Sequence, residues 1–181
     1  DENDPAFSNP SKPIGPFYSK EVAEEKRARY GWDIVEDAAR GYRRVVPSPE
    51  PVEVFEEHII RKILDLGMIV IAVGGGGIPV IERANNLVLG REAVIDKDRA
   101  SSLLAVSLGV ELFIISTDVP QVFVDYKKPT QRALSSVTVR ELEDYRTQKQ
   151  FAAGSMGPKV ESVIRFVQET GHKAIITSFE C

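Results

Sequence analysis

Cysteine is almost absent from this chain, since Cys181 is the single cysteine among 181 residues. One cysteine excludes a disulfide within the chain, so a reducing compartment is the simpler expectation. Histidine is nearly as scarce. His58 lies among charged residues of a predicted helix and His172 follows a glycine, positions typical of structural or exposed histidines, so no metal-ligand cluster emerges.

Positive charge and long apolar runs are also lacking. The formal net charge is −4 and the sequence pI is near 5.4, which gives no sign of the basic face or stripe that nucleic-acid binding requires. No apolar run approaches the roughly 20 residues that span a bilayer, and the acidic start of the chain is unlike a signal peptide. We therefore expect a soluble, cytoplasmic protein that binds neither nucleic acid nor membranes.

The ends of the sequence are unusual for a whole protein. The chain does not begin with methionine, and residues 178–181 follow directly on an apolar, strand-like run. We expect the chain to be a piece of a longer protein, truncated at both ends.

What is present is the composition of a globular domain, with 43% hydrophobic and 28% charged residues. Residues 1–51 differ from the rest because they hold seven of the eleven prolines, at positions 5, 10, 13, 16, 47, 49 and 51. We expect a small protruding subdomain there, in which Ser19 caps a helix over 20–29 that Gly31 ends. Residues 32–36 and 42–46 are predicted to pair as a hairpin.

Residues 52–181 alternate helical patterns with short unbroken apolar runs, as parallel strands buried on both faces do. The pattern therefore predicts an α/β region. Its predicted helices are 53–66, 99–108 (capped by Asp98), a helix opened by the Thr138–Glu141 capping box, and one that starts at Pro158. Its predicted strands include 68–73, 112–116, 122–124 and 173–177.

Four consecutive glycines, Gly74, Gly75, Gly76 and Gly77, follow the predicted strand 68–73. They suit either an anion-binding loop or a flexible turn, and four in a row favour the loop. The NTPase phosphate loop is excluded because no Lys-Ser or Lys-Thr follows. The dinucleotide fingerprint stays open as an alternative, an NAD(P)-dependent oxidoreductase, although Pro79 occupies its third glycine position.

Three lysines are candidates for binding a phosphate group. Lys97 stands between Asp96 and Asp98 at a predicted helix start, which suits phosphoryl transfer but also a solvated salt bridge. Lys159 follows a glycine-containing loop in the first turn of a helix, where the helix dipole disfavours a cation unless an anion is near. Lys12 lies between prolines and, from composition alone, is a surface residue.

Six motifs in one order resemble the carbamate kinase family over nearly the whole chain. They are Asp4-Pro-Ala-Phe, Asn9-Pro-Ser-Lys-Pro-Ile-Gly-Pro-Phe, Arg43-Arg-Val-Val-Pro-Ser-Pro, the glycines with Pro79, Ala93-Val-Ile-Asp-Lys-Asp, and Gly154-Ser-Met-Gly-Pro-Lys. The resemblance implies a three-layer αβα sandwich with a mainly parallel open sheet, a protruding subdomain, and a homodimer. It also implies reversible phosphoryl transfer between ATP and carbamate, with Mg²⁺ carried by the nucleotide phosphates, in the arginine deiminase pathway.

The resemblance also implies roles for individual residues. Lys97 and Lys159 would bind the transferring phosphoryl group and the nucleotide phosphates, Lys12 would reach in from the protruding subdomain, and Asp96 and Asp98 would organise these lysines. The four glycines would line the carbamate side. The nucleotide side would hold Asp118, Phe123, Tyr126, Met156 and Gly157.

The chain departs from the family pattern in one respect. Family members begin with a strand and a phosphate loop bearing Gly-Gly-Asn, which this sequence lacks. We therefore expect the source protein to be active and this chain alone to be inactive. A catalytically silent binding or assembly module remains the third hypothesis.

Overall fold

The computed structural model describes residues 1–37, 40–83, 87–152 and 154–179. Cys181 lies outside the described residues. The chain divides into two compact units, one formed by residues 1–50 and 77–96 and the other by residues 51–76 and 97–181. The sequence predicts a division at residue 51 that leaves 77–96 in the second region, whereas these residues pack with the first unit.

The first unit is built on an antiparallel three-stranded sheet of order β1-β3-β2. Its strands are β1 (Lys12–Tyr18), β2 (Ile34–Glu36) and β3 (Tyr42–Val46), with helix α1 (Lys20–Tyr30) between the first two and a short 3₁₀ helix at Pro5–Phe7. The Ser19 hydroxyl accepts a hydrogen bond from the Val22 amide, and Gly31 ends α1 at φ +65°. Both helix boundaries and the β2–β3 hairpin confirm the prediction.

Residues 77–96 belong to the first unit through contacts with its amino-terminal segment and with the residue that follows β3. They contain the hairpin β4 (Val80–Arg83) and β5 (Leu87–Gly90). The carboxylate of Glu2 bonds to Arg83 at 2.8 Å and to Arg91 at 3.3 Å, and the Val94 amide donates to the carbonyl of Pro47 at 2.9 Å. These long-range bonds explain why a segment distant in sequence joins this unit.

The second unit contains the parallel strand pair β6 (Leu112–Thr117) and β9 (Lys173–Ser178). The remaining elements of this unit are the helices α2 (Glu57–Asp65), α3 (Lys97–Leu108), α4 (Val139–Thr147) and α5 (Met156–Thr170), and the antiparallel pair β7 (Val122–Val124) and β8 (Arg132–Leu134). The Thr138–Glu141 capping box is present at the start of α4, as predicted.

One face of the β6–β9 pair packs on α3 and α5, because alternate residues of a strand point to opposite faces. Phe113 and Ile115 join Phe166, which is fully buried with its ring centroid 5.3 Å from that of Phe113. The other face carries Leu112 and Ile114, which are 45% and 53% exposed. This parallel pair with helices on one face is the part of the predicted sandwich that the described residues contain.

Four predicted elements differ from the structure. Helix α5 begins at Met156, two residues before the predicted start at Pro158. Residues 68–73 form no strand, and Ile69 and Ile71 are 95% and 97% exposed, because this apolar run pairs with no strand in the described part of the chain. Helix α2 begins at Glu57 rather than residue 53. Helix α3 begins at Lys97, so Asp98 lies in its first turn instead of capping it.

In the described ranges, no helix is long and apolar enough to cross a membrane.

Candidate functional site

Lys159 and Asp98 form an ion pair between the first turns of α5 and α3. The Lys159 Nζ lies 2.8 Å from Asp98 Oδ2, and the two side chains are only 13% and 12% exposed. A second ion pair, between Arg99 and Glu161 at 2.8 Å, lies on the next positions of the same two helices. Asp98 at a helix start is favoured by the helix dipole, and it offsets the disfavoured position of Lys159.

Lys12 and Asp96 form an equivalent pair within the first unit. Lys12 opens β1, and its Nζ lies 2.6 Å from Asp96 Oδ2. The Asp96 side chain is 7% exposed, whereas that of Lys12 is 31% exposed. A buried carboxylate requires a cationic or hydrogen-bonding partner, and Lys12 supplies one over a sequence separation of 84 residues. Lys12 is therefore not the simple surface lysine that composition alone indicates.

Lys97 differs from the other two lysines. It is the first residue of α3, it is exposed, and within the described ranges its side chain makes no hydrogen bond or ion pair. The neighbouring carboxylates bond to Lys12 and Lys159 instead. Lys97 therefore presents an ammonium group at a helix start, where backbone amides also face outward. Such an arrangement attracts an anion more strongly than either feature alone.

The glycine loop adopts backbone angles that favour glycine. Gly74, Gly76 and Gly77 have φ values of +54°, +127° and +88°, in the region that residues with a Cβ rarely occupy. Added Cβ atoms at Gly74, Gly75 and Gly77 would meet nothing within 4 Å. The loop therefore needs glycine for its conformation and leaves open space at these three positions. Since residues 68–73 form no strand, the loop does not follow a strand end as predicted.

The residues predicted on the nucleotide side lie in two parts of the second unit. Phe123, in β7, and Tyr126, just after that strand, have ring centroids 5.9 Å apart. Asp118 is exposed and accepts a hydrogen bond from the Thr117 hydroxyl at 3.1 Å. Met156 opens α5 and packs against the cluster around Val160.

Gly157 is held close to the preceding loop. Its amide donates to the carbonyl of Ala152 at 2.8 Å, and a Cβ added to Gly157 would lie 3.1 Å from that oxygen. Any side chain would therefore displace the loop or the helix start. Glycine at this position allows the first turn of α5, which carries Lys159, to approach the loop.

The structure also reveals a hydrogen bond of Gln150 that no sequence motif predicts. The side-chain oxygen of Gln150 accepts a hydrogen bond from the Asp125 amide at 2.8 Å. The Asp125 carboxylate accepts hydrogen bonds from Lys128 and Thr130, which hold the pKa of Asp125 below its ordinary value. No local motif signals the bond to Gln150, because it joins residues 25 positions apart.

Metal ligands are a separate question from phosphate binding. Over residues 1–37, 40–83, 87–152 and 154–179, no group of three or more His, Cys, Asp or Glu side chains is placed to hold a metal ion. Asp96 and Asp98 each accept a hydrogen bond from a lysine ammonium group. Each of these two carboxylates therefore faces a lysine in the structure.

A model of the amino acid kinase family matches residues 13–178. Carbamate kinase from Lentilactobacillus hilgardii is 52% identical over 179 residues, which cover 98% of this chain and 56% of that protein. Carbamate kinase from Thermococcus kodakarensis is 50% identical over 180 residues, which cover 99% of this chain and 57% of that protein. The chain thus spans little more than half the length of these relatives.

Solved structures give the same result. A crystal structure of a protein from Aeropyrum pernix K1 matches with a TM-score of 0.91 at 48% identity, covering 99% of this chain and 58% of that one. Carbamate kinase from Giardia lamblia bound to AMP-PNP matches with a TM-score of 0.85 at 46% identity, covering 98% and 56%. These likenesses confirm the predicted α/β fold of the amino acid kinases. The family match over most of the chain shows that this protein belongs to the amino acid kinase family.

Proposed function

We propose that this protein is a carbamate kinase, which transfers a phosphoryl group reversibly between ATP and carbamate to give ADP and carbamoyl phosphate. The observation that carries the proposal is the Lys159–Asp98 pair, which at 2.8 Å holds a lysine ammonium group in the first turn of α5, at a helix start that attracts anions. Identities of 52% and 50% to carbamate kinases support the choice of substrate. Since the chain spans 56 to 57% of those proteins, the activity is proposed for the whole enzyme.

Each lysine has a proposed role that its surroundings support. Lys159 binds a nucleotide phosphate, and Asp98 holds its ammonium in place from α3. Lys97, which is exposed at the start of α3, binds the transferring phosphoryl group, where negative charge develops. Lys12 also binds the substrate, a role that rests on the family resemblance, and Asp96 holds its ammonium group at 2.6 Å. Glycines 74–77 offer backbone amides to the carbamate side.

The proposed mechanism is direct in-line transfer. A carbamate oxygen attacks the γ-phosphorus of ATP, the bond from that phosphorus to the β–γ bridging oxygen breaks, and ADP leaves with the electron pair. No general base is required because carbamate is already an anion. Catalysis then rests on positioning and on positive charge around the phosphoryl oxygens.

We propose that Mg²⁺ enters with the nucleotide and that no carboxylate of this chain binds it directly. Asp96 and Asp98 support this assignment because each faces a lysine at hydrogen-bond distance. When bound, Mg²⁺ would neutralise charge on the β- and γ-phosphates. The nucleotide itself is proposed to lie beside Asp118, Phe123, Tyr126, Met156 and Gly157.

Three further proposals rest on the resemblance alone. They are a homodimer, a cytoplasmic location, and a place in arginine breakdown through the arginine deiminase pathway.

The first experiment measures ATP formation from MgADP and carbamoyl phosphate. The longest chain that the source gene encodes is assayed beside the 181-residue chain, and we expect turnover by the long chain only. No turnover by either chain would contradict the kinase proposal and favour a binding or assembly module. A fluorescence titration with NAD tests the oxidoreductase alternative, because tight NAD binding without ATP formation would support it.

A further inference from the structure

The segment that carries Tyr126 has a constrained backbone. This segment, the Tyr126 loop, comprises residues 125–131 between β7 and β8. Asp125 and Lys127, on either side of Tyr126, have φ values of +51° and +63°. Residues with a Cβ seldom adopt these angles, so the surrounding bonds must hold them. The position of the Tyr126 side chain therefore depends on what fixes its two neighbours.

Several bonds within the loop set its shape. The Asp125 carboxylate accepts from Lys128 Nζ at 2.9 Å and from the Thr130 hydroxyl at 3.0 Å. The Lys127 amide donates to the side-chain oxygen of Gln131 at 2.7 Å. These bonds are all local, so they define the conformation of the loop without fixing it to a neighbouring element.

Gln150 makes the bond that fixes the loop to another element. Its side-chain oxygen accepts the Asp125 amide at 2.8 Å, directly beside Tyr126 in the chain. Gln150 is half-buried, which limits competition from water. The Asp125 amide is thereby satisfied while the residue keeps its left-handed backbone angle.

The end of α4 holds the backbone of Gln150. Lys149 has a φ of +56°, its amide donates to the carbonyl of Arg146, and the Gln150 amide donates to the carbonyl of Tyr145. This pair of bonds is the Schellman arrangement at a helix end, with Lys149 in the place usually taken by glycine. The backbone of Gln150 is therefore held in a fixed position at the end of α4, from which its side chain reaches the Asp125 amide.

We infer that Gln150 is a positioning residue for the nucleotide base: it holds Asp125 and thereby places the Tyr126 ring. This inference rests on the proposed function, in which Phe123 and Tyr126 lie beside the nucleotide. The Tyr126 ring lies 5.9 Å from that of Phe123 and is 51% exposed, so it has a free face for a base to stack on. Gln150 itself does not need to touch the ligand.

The test measures the steady-state kinetics of ATP formation by the full-length protein with Gln150→Leu. We expect the KM for MgADP to rise roughly three- to tenfold, the range that loss of one hydrogen bond produces. The kcat and the KM for carbamoyl phosphate should stay within about twofold, because the loop is assigned to base binding only. Gln150→Glu keeps the acceptor oxygen and should restore the KM for MgADP.

Gln148→Leu is the matched control, since Gln148 is exposed two residues earlier and makes no side-chain hydrogen bond in the described part of the chain. It should leave kcat and both KM values unchanged.

If Gln150→Leu does not fold, Gln150→Asn is measured instead, because its side chain is one methylene shorter and its oxygen no longer reaches the Asp125 amide. An unchanged KM for MgADP, or equal loss in every constant, would overturn the role of Gln150. No turnover by the unmodified protein would overturn the proposed function and this inference together.

Discussion

Lys159 and Asp98 are bonded at 2.8 Å, whereas Lys97, directly before Asp98 in the sequence, has no such bond to a described residue. The two lysines therefore differ in what they contribute. Lys159 is part of a mostly buried ion pair and supports the fold. Lys97 is exposed and makes no side-chain bond to a described residue, so we expect its removal to leave the fold intact. Mutations should separate the two contributions.

Lys97→Ala in the full-length protein should abolish phosphoryl transfer and spare the fold. We expect kcat to fall about a hundredfold or more, as when one donor to a developing oxyanion is removed. The free energy of unfolding should change by less than about 0.5 kcal/mol, as for an exposed residue. Urea unfolding and the ATP-formation assay measure the two effects. Lys62→Ala, at an exposed position of α2, is the control that should alter neither.

Lys159→Met should reduce both activity and stability. Removing the lysine leaves Asp98 mostly buried without this partner, which costs roughly 3 kcal/mol of unfolding free energy. The double variant Lys159→Met with Asp98→Asn removes the unbalanced charge and should regain much of the loss in a double-mutant cycle. If the single Lys159→Met variant is as stable as the unmodified protein, the pair has no role in the fold.

Local signals in the sequence predicted the boundaries of several elements. Ser19 and Gly31 bracket α1, the Thr138–Glu141 box opens α4, and Gly171 ends α5 at φ +72°. These predictions hold because a cap is decided by a few neighbouring residues. The strand β6 also appears as predicted, since its alternate residues reach a core formed by α3 and α5.

Features that depend on contacts between residues distant in the sequence were not predicted. Residues 68–73 have an apolar pattern that suits a strand, but a strand also needs a neighbour, which the described residues do not provide. The ion pair of Asp96 with Lys12 joins residues 84 positions apart, and that of Asp98 with Lys159 joins residues 61 positions apart. Neither pairing follows from local spacing, although the sequence correctly indicated that Asp98 and Lys159 lie at helix starts. Their catalytic roles remain predictions.

Gly157→Ala should destabilise the protein by about 1 to 2 kcal/mol. The new Cβ would lie 3.1 Å from the carbonyl oxygen of Ala152, so the loop or the first turn of α5 must shift. Because that turn carries Lys159, the KM for MgADP should also rise. Gly154→Ala is the matched control, since its Cβ would meet nothing within 4 Å and its φ is not positive. Equal unfolding free energies for the two variants would contradict the close approach at Gly157.

Acidification should weaken α4 through its capping box. Hydrogen bonds from the Thr138 amide and hydroxyl hold the pKa of Glu141 below its ordinary value of 4.5. A lowered pKa in the folded state means that the stabilisation is fully present above pH 4.5 and is lost as the pH falls through the folded value. Unfolding midpoints in urea between pH 6 and pH 3 should therefore fall more steeply for the unmodified protein than for Glu141→Gln. Glu111→Gln, at an exposed position outside the capping box, is the control, and its unfolding midpoints should change with pH as those of the unmodified protein do. If the midpoints of Glu141→Gln also fall as steeply as those of the unmodified protein, the capping box does not contribute to the pH dependence.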